Sequence, residues 1–111
     1  MAQLALNNFR TVTLEVTSGI QTAYTAPTGY TSILLYAQIT NIGSSTETVT
    51  ISHKRSTTST EIAKGVAVPP NDAFVPMDGK LVLETSDSVV ISASANLTFK
   101  LILSILETAN A

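Results

Sequence analysis

The chain has 111 residues, of which 44% are hydrophobic and only 13% are charged, with a formal net charge of −2 at pH 7. This length fits one domain with one core, and so weak a charge gives no electrostatic basis for gripping a nucleic-acid backbone. The chain contains no cysteine, which excludes disulfides, thiolate metal sites and thiol catalysis. We therefore expect stability to come from packing, within one chain or between chains.

Serine and threonine supply most of the polarity, with 12 and 17 residues respectively. Threonine is β-branched and suits a pleated, half-exposed surface. We find no convincing helical repeat, no basic leader followed by an apolar core, and no run near the ~20 apolar residues that a membrane helix needs. The composition therefore favours sheets and predicts no membrane partner.

The first residues, MAQLALNN, are too few to form a stable isolated helix. We predict that residues 1–9 are an arm, either disordered or laid on a neighbour, and that residues 10–111 form a single domain. Leu4, Leu6 and Phe9 would anchor the arm or cover an apolar face of the same chain.

Alternation with a period of two predicts the strands in chain order. Residues 10–17 give the clearest early strand, and Ser18-Gly19 should turn the chain so that residues 20–25 return as its antiparallel partner. Residues 46–55 alternate again, followed by a polar loop over residues 56–60 and a weaker strand over residues 61–68. A bulge is expected in that weaker strand at Lys64-Gly65.

The stretch from Ala67 to Ser94 reads as strand, turn, strand, turn, strand. Pro69-Pro70 and the following Asn and Asp stop the first strand, Asp78-Gly79 makes a tight corner, and residues 85–88 form a polar turn. With about eight short strands in the chain, we predict an all-β, two-sheet antiparallel β-sandwich of jelly-roll or immunoglobulin-like type.

Two predicted strands, residues 33–39 and 99–106, are apolar on both faces. In the first, Ile33, Leu35, Ala37 and Ile39 would share one face, and Leu34 and Tyr36 the other. One face can enter the core, and the second must be covered, because contiguous exposed apolar patches usually mark contacts. We therefore predict self-association, with a candidate oligomer or particle interface that comprises Leu4, Leu6, Phe9, Leu34, Tyr36, Ile102 and Leu106.

Candidate chemistry is sparse. His53 is the only histidine, so one chain cannot build a triad or a histidine-pair metal site, and we expect an ordinary strand residue. Four acidic residues could offer oxygens to calcium but lack the spacing of a calcium loop, so we read them as turn formers: Asp72, Asp78, Glu84 and Asp87. We expect no enzyme, no metal and no cofactor.

The three tyrosines keep one binding alternative open, because amphipathic rings stack on the apolar faces of sugars. If Tyr24, Tyr30 and Tyr36 line one surface, the chain would be a carbohydrate-binding module.

The run PPNDAFVPMDGKLVLETSDSVVISASANLTFKLILSILE resembles the C-terminal half of small, cysteine-free virion structural proteins of tailed bacteriophages, including marine and cyanobacterial phages. The earlier run VTSGIQTAYTAPTGYTSILLYAQITNI is similar to their opening. One departure is Ser86, where such proteins often carry glycine, so the turn there is expected to differ in type.

The resemblance implies a virion component without catalytic residues. It implies first a head decoration or cement protein on the outer surface of the capsid, with the major capsid protein or another virion protein as partner. Tail, neck or baseplate roles are the alternatives. By analogy with such decoration proteins, the resemblance also implies a closed homotrimer.

Overall fold

The computed structural model describes residues 7–110, which form nine β-strands and no helix. The strands are β1 (Asn7–Val16), β2 (Gln21–Thr25), β3 (Tyr30–Asn41), β4 (Glu47–Arg55), β5 (Thr58–Val68), β6 (Ala73–Phe74), β7 (Leu81–Leu83), β8 (Ser88–Ala93) and β9 (Phe99–Ala109). The predicted all-β fold is confirmed. No helix long and apolar enough to cross a membrane is present in the described range.

The strands form two antiparallel sheets, as predicted. The five-stranded sheet has the order β1, β9, β3, β6, with β7 also paired to β3, and the four-stranded sheet has the order β2, β8, β4, β5. Counting β6 and β7 as one interrupted strand, successive strands change sheet everywhere except between β4 and β5. This order is that of a jelly roll, so the immunoglobulin-like alternative is not observed.

The predicted hairpin between the first two strands is wrong. β2 lies in the other sheet, where Gln21 is opposite Ile91 of β8. The turn at residues 17–20 therefore carries the chain across the sandwich instead of returning it along the same sheet. Local alternation defines a strand but does not choose its partner, which here lies 70 residues further along the chain.

The core is built from the inward faces of both sheets. From β9 it receives Phe99, Leu101, Leu103 and Ile105, each at most 1% exposed, as the alternation predicted. The four-stranded sheet contributes side chains such as those of Val49, Ile51, Val89 and Ile91. Burying each of these large side chains contributes roughly 1.5–3 kcal/mol.

A β-bulge in β3 changes which face its residues occupy. The pairing with β9 shifts between Leu34 and Tyr36, so one residue is inserted and the alternation changes phase. As a result Leu34 is fully buried in the core, whereas Tyr36 is 41% exposed on the outer face. The prediction that Leu34 shares an outer face with Tyr36 is therefore wrong.

The edge strand β5 is bulged twice against β4. Between the pairs Val49–Val66 and Ile51–Ala63 the register shifts, and Gly65 adopts φ +59° while its N–H donates to Thr50 Oγ1 at 2.9 Å. The bulge predicted at Lys64-Gly65 is confirmed. The predicted loop over residues 56–60 is shorter than expected, because β4 and β5 are joined through residues 56–57 alone.

Candidate assembly interface

An apolar row crosses the outer face of the five-stranded sheet. Phe9 of β1 is opposite Leu106 of β9, Leu106 is opposite Ile33 of β3, and Ile33 is opposite Val82 of β7. Residues directly opposite in antiparallel strands project from the same face, so these four side chains form one line, which we call the apolar row. Its two ends are strongly exposed, Phe9 by 74% and Val82 by 53%.

The outer face around the row carries few charges. Ile102 and Tyr36 lie on the same face, opposite Gln38 and Ser104 respectively, and are 39% and 41% exposed. The charged side chains that β1, β3 and β9 present here are Glu15 and Lys100, which are opposite each other at one end. A neutral, partly apolar sheet face of this kind is typical of a contact surface.

The structure brings together most of the described residues predicted for the interface. Phe9, Tyr36, Ile102 and Leu106 lie on this outer face, whereas Leu34 lies in the core. Leu4 and Leu6 lie outside the described residues. Contact of these side chains with a partner molecule remains a prediction.

Sequence reasoning missed Ile33 and Val82. Ile33 was assigned to the inward face because the bulge in β3 leaves no clear signal in the sequence. Val82 alternates with the inward-facing Leu81 and Leu83, so the period-two pattern of that short strand identifies it as outward-facing once the strand's partner is known.

A second group of exposed apolar side chains lies on loops at one end of the sandwich. Ile20, Ile42 and Leu97 are 79%, 50% and 52% exposed. Their loops meet, since Ser18 N–H donates to Asn96 Oδ1 at 3.3 Å and Ile42 N–H to the Thr98 carbonyl at 2.8 Å. Leu97 also has a positive φ of 58°. No periodic pattern marks these residues in the sequence.

At the other end of the sandwich, the buried carboxylate of Asp87 joins β4 to the turn between β7 and β8. Arg55 donates to it through Nε at 2.9 Å and through Nη2 at 2.7 Å, His53 Nε2 donates at 3.0 Å, and the Glu84 backbone N–H donates at 2.9 Å. The Arg55 guanidinium, helped by the His53 and Glu84 donors, holds the pKa of Asp87 well below its usual range although burial opposes this. Asp87 is thus a structural anion.

Glu107 is a second buried carboxylate, 4% exposed. The Tyr24 hydroxyl and Asn8 Nδ2 donate to it, and Arg10 Nη1 lies 3.4 Å away. Burial alone would raise the pKa of Glu107, but the bonds from Tyr24 and Asn8 and the Arg10 charge together lower it. Burial, followed by the bond to Glu107, raises the pKa of Tyr24 to about 12. Ser32 completes the network at 2.8 Å from the Tyr24 oxygen.

These polar groups act as structural links. Every buried side-chain polar atom in the described part of the chain has a hydrogen-bond partner. In residues 7–110, no group of three His, Asp or Glu side chains is placed to hold a metal ion. His53 is bound to Asp87, and Asp72 and Asp78 lie in turns away from both carboxylate networks.

The tyrosines do not form one sugar-stacking surface. Tyr24 is 7% exposed and its hydroxyl faces Glu107, whereas Tyr36 lies on the outer face of the five-stranded sheet. Tyr30 begins β3 near the opposite end of that strand's register, opposite Ala109. Of the three rings, Tyr36 is the one exposed enough to stack on a flat ligand.

No protein-family model matches the sequence, and no curated protein resembles it in sequence. Solved structures do resemble the fold. A chain in the acidic stable capsid structure of Helicobacter pylori bacteriophage KHP30 is 13% identical with a TM-score of 0.60, covering 96% of this chain and 90% of that chain. A subunit of the disulfide-linked pili that form Bacillus endospore appendages is 10% identical with a TM-score of 0.59, covering 100% and 98%.

A pentameric capsid protein isolated from metagenomic phage sequences is more distant, with 15% identity, a TM-score of 0.45, and coverage of 96% of this chain and 64% of that chain. At such identities the likeness to the first two structures shows a shared fold. The chain is similar to these subunits as a jelly roll over nearly its whole length.

Proposed function

We propose that the chain is a non-enzymatic structural protein of a tailed-phage virion, and more specifically a decoration or cement protein on the outer surface of the head. The observation that carries the proposal is the apolar row on a charge-poor sheet face. The likeness in fold to a phage capsid chain and the resemblance of two long sequence runs to phage virion proteins support the same role.

The area of the outer face of the five-stranded sheet is within the range of typical protein–protein interfaces. With 38 residues in its five strands, the outer face covers roughly 600 Å² at typical strand spacings. Stable interfaces bury roughly 600–1,000 Å² on each partner. The five-stranded sheet therefore offers enough area to hold the protein on a particle or on another copy.

A decoration protein works mechanically. Such a protein lies over a joint between capsid subunits. The subunits can separate only if the contacts of the decoration protein also break, so each contact adds to the force that the shell withstands. The described residues fit this task, because both buried carboxylates are bound into the fold and the outer face is left for contact.

The copy number in purified virions tests the location. A cement protein occupies hundreds of symmetry-related places, so quantitative mass spectrometry should find about one copy for every few major capsid subunits. A handful of copies for each particle would overturn the head assignment and favour a tail, neck or baseplate role. Absence from virions would overturn the virion proposal itself.

A filament subunit is a second candidate, since the fold likeness to the endospore appendage subunit covers nearly all of both chains. Those pili are disulfide-linked, and this chain has no cysteine, so it would need another link between subunits. Electron microscopy of the purified protein separates the two, because open filaments would favour this candidate and small discrete oligomers the first.

A carbohydrate-binding role has weaker support, since it would rest on Tyr36 alone. Titration with host surface polysaccharide tests it. Saturable binding that is lost in Tyr36→Ala would favour a binding module over a purely mechanical role.

A further inference from the structure

The four edges of the two sheets are not equivalent. An edge strand presents unpaired backbone donors and acceptors, and folded proteins usually blunt it with short strands, bulges, proline or charges. In the five-stranded sheet the edges are β1 on one side and the β6–β7 pair on the other. In the four-stranded sheet they are β2 and β5.

Three of these edges are blunted. β6 and β7 have two and three residues and are separated by a segment that contains Pro76. β2 has five residues and a register shift against β8. β5 is bulged twice and carries Glu61 and Lys64. Another strand would find little regular backbone to pair with at any of them.

β1 is neither short nor bulged, and its two charged residues, Arg10 and Glu15, have opposite signs. Its ten residues pair with β9 one for one from Asn7 to Val16, with no register shift. The strand contains no proline, glycine or lysine. Residues 7–11 are all exposed, and within residues 7–110 the only strand paired with β1 is β9. A long, regular, open edge of this kind is a template for an added strand.

We propose that β1 pairs antiparallel with β1 of a second copy around a twofold axis through Thr11, which joins the two five-stranded sheets into one. The strand is its own suitable partner, because it carries one cation, Arg10, and one anion, Glu15, and so two copies do not repel. A twofold axis perpendicular to the sheet also keeps the outer faces on the same side, so the two apolar rows lie on one continuous face, offset from each other by about 13 Å along the strands.

The exposure and the chemical types of the side chains in β1 favour this register. Pairing centred on Thr11 places Phe9 opposite Thr13 and Asn7 opposite Glu15, so an amide faces the carboxylate and the aromatic ring faces a methyl-bearing side chain. Centring one residue further, on Val12, would place Phe9 opposite Glu15. The Thr11 register also leaves out Val16, which is fully buried, and uses the exposed part of the strand.

The inference goes beyond the proposed function, because it concerns the self-association predicted from the sequence and not the virion role. Its test uses the purified protein without any particle, so a negative result leaves the virion role standing, and a protein absent from virions can still form this pair. A twofold contact yields an even number of chains. The predicted homotrimer is compatible with it only as part of a larger assembly such as a hexamer.

Single cysteines test the register cleanly, because the chain has no cysteine of its own. In Thr11→Cys the two Cα atoms would lie about 4.5–5.5 Å apart, within disulfide range. Oxidised glutathione should therefore convert most of that variant into a covalent dimer. In Thr13→Cys, on the same strand and face, the two copies would be displaced by about 13 Å, so no cross-link is expected.

Cross-linking at position 13 and not at 11 would overturn the register. The absence of cross-linking at every position from 9 to 15 would overturn the edge pairing. Thr60→Cys is a matched control on the exposed edge strand β5 and should form no covalent dimer in the same oxidation.

Light scattering provides the second measurement. We expect a mass of two or six chains for the unmodified protein, each chain being 11.7 kDa. Thr11→Lys should raise the dissociation constant at least tenfold, because lysine blocks edge pairing, whereas Thr60→Lys should not. A stable monomer or a trimer would overturn the twofold pair. So would a monomer that dimerises only after residues 1–6 are removed, since the chain's own terminus would then cover β1.

Discussion

Ser86 holds a left-handed backbone conformation, with φ +73°, in the turn before β8. Such a conformation costs an L-residue roughly 1–2 kcal/mol, and glycine avoids that cost but loses about 0.5–1 kcal/mol of chain entropy. We therefore expect Ser86→Gly to raise the free energy of unfolding by about 0.5–1 kcal/mol. The side chain is exposed, so no packing is lost.

Urea unfolding measures this change, with Ser92→Gly as the control. Ser92 lies within β8 and has no positive φ, so glycine there should lower the free energy of unfolding. Equal changes in both variants would contradict the assignment of strain to Ser86. The turn was expected to differ in type because serine stands at position 86, yet Ser86 takes a positive φ, the conformation that glycine adopts without strain.

Asp87 links stability to acid pH. Its pKa is depressed in the folded protein, chiefly by Arg55, so its contribution is present above the unfolded pKa of about 4 and is lost as the pH falls through the folded value. We expect Asp87→Asn to lower the free energy of unfolding by about 2–3 kcal/mol at pH 7, because charged hydrogen bonds to a buried group are lost.

In Asp87→Asn, the free energy of unfolding should also depend less strongly on pH in the acid range. Urea unfolding at pH 7 and pH 3 measures it, and the difference between the two pH values should be smaller in Asp87→Asn than in the unmodified protein. Glu107, whose pKa is also lowered, still contributes to the pH dependence of the free energy of unfolding in this variant. An unchanged pH difference would show that Asp87 is not linked to folding in this way.

At the scale of elements, the β-bulge in β3 determines which residues of that strand face the core. Leu34 is fully buried and Tyr36 is 41% exposed. We expect Leu34→Ala to lower the free energy of unfolding by about 2–5 kcal/mol, as cavity-forming changes do, and Tyr36→Ala to lower it by less than about 1 kcal/mol. Denaturant unfolding of both variants measures this, and the opposite ranking would place the bulge elsewhere.

The same strand shows how far sequence reasoning reaches. Alternation predicts β4 and β9 because hydrophobic and polar positions keep one phase along most of their length. It fails in β3, because nothing in the run Ile33-Leu34-Leu35 shows which residue is inserted. It also cannot assign β2 to a sheet, since that choice depends on the distant strand β8.

The sequence likewise predicts some features of the candidate interface and not others. Tyr36, Ile102 and Leu106 were predictable as outward-facing because each belongs to a predicted strand whose other face is needed for the core, whereas Phe9 was assigned to the N-terminal arm and lies in β1. The row itself was not predictable, since it depends on the register of four strands. Val82 enters it only through the pairing of β7 with β3.

At the scale of the whole molecule, the outer face of the five-stranded sheet should decide attachment to a particle. Covering even ~300 Å² of apolar surface there contributes several kcal/mol before the entropy of association is subtracted. A carboxylate placed in that contact would be buried without a partner, which costs several kcal/mol more. Val82→Glu should therefore reduce incorporation into virions at least tenfold.

Val75→Glu is the matched control for that prediction. Val75 is the same residue type with similar exposure, 46% against 53% for Val82, but it lies in the connection between β6 and β7, outside the apolar row. Both variants should keep the far-ultraviolet spectrum of the sheet, since both side chains already face solvent. Normal incorporation of both variants would show that the apolar row does not hold the protein on the particle, and equal loss in both would indicate a contact that extends beyond the row.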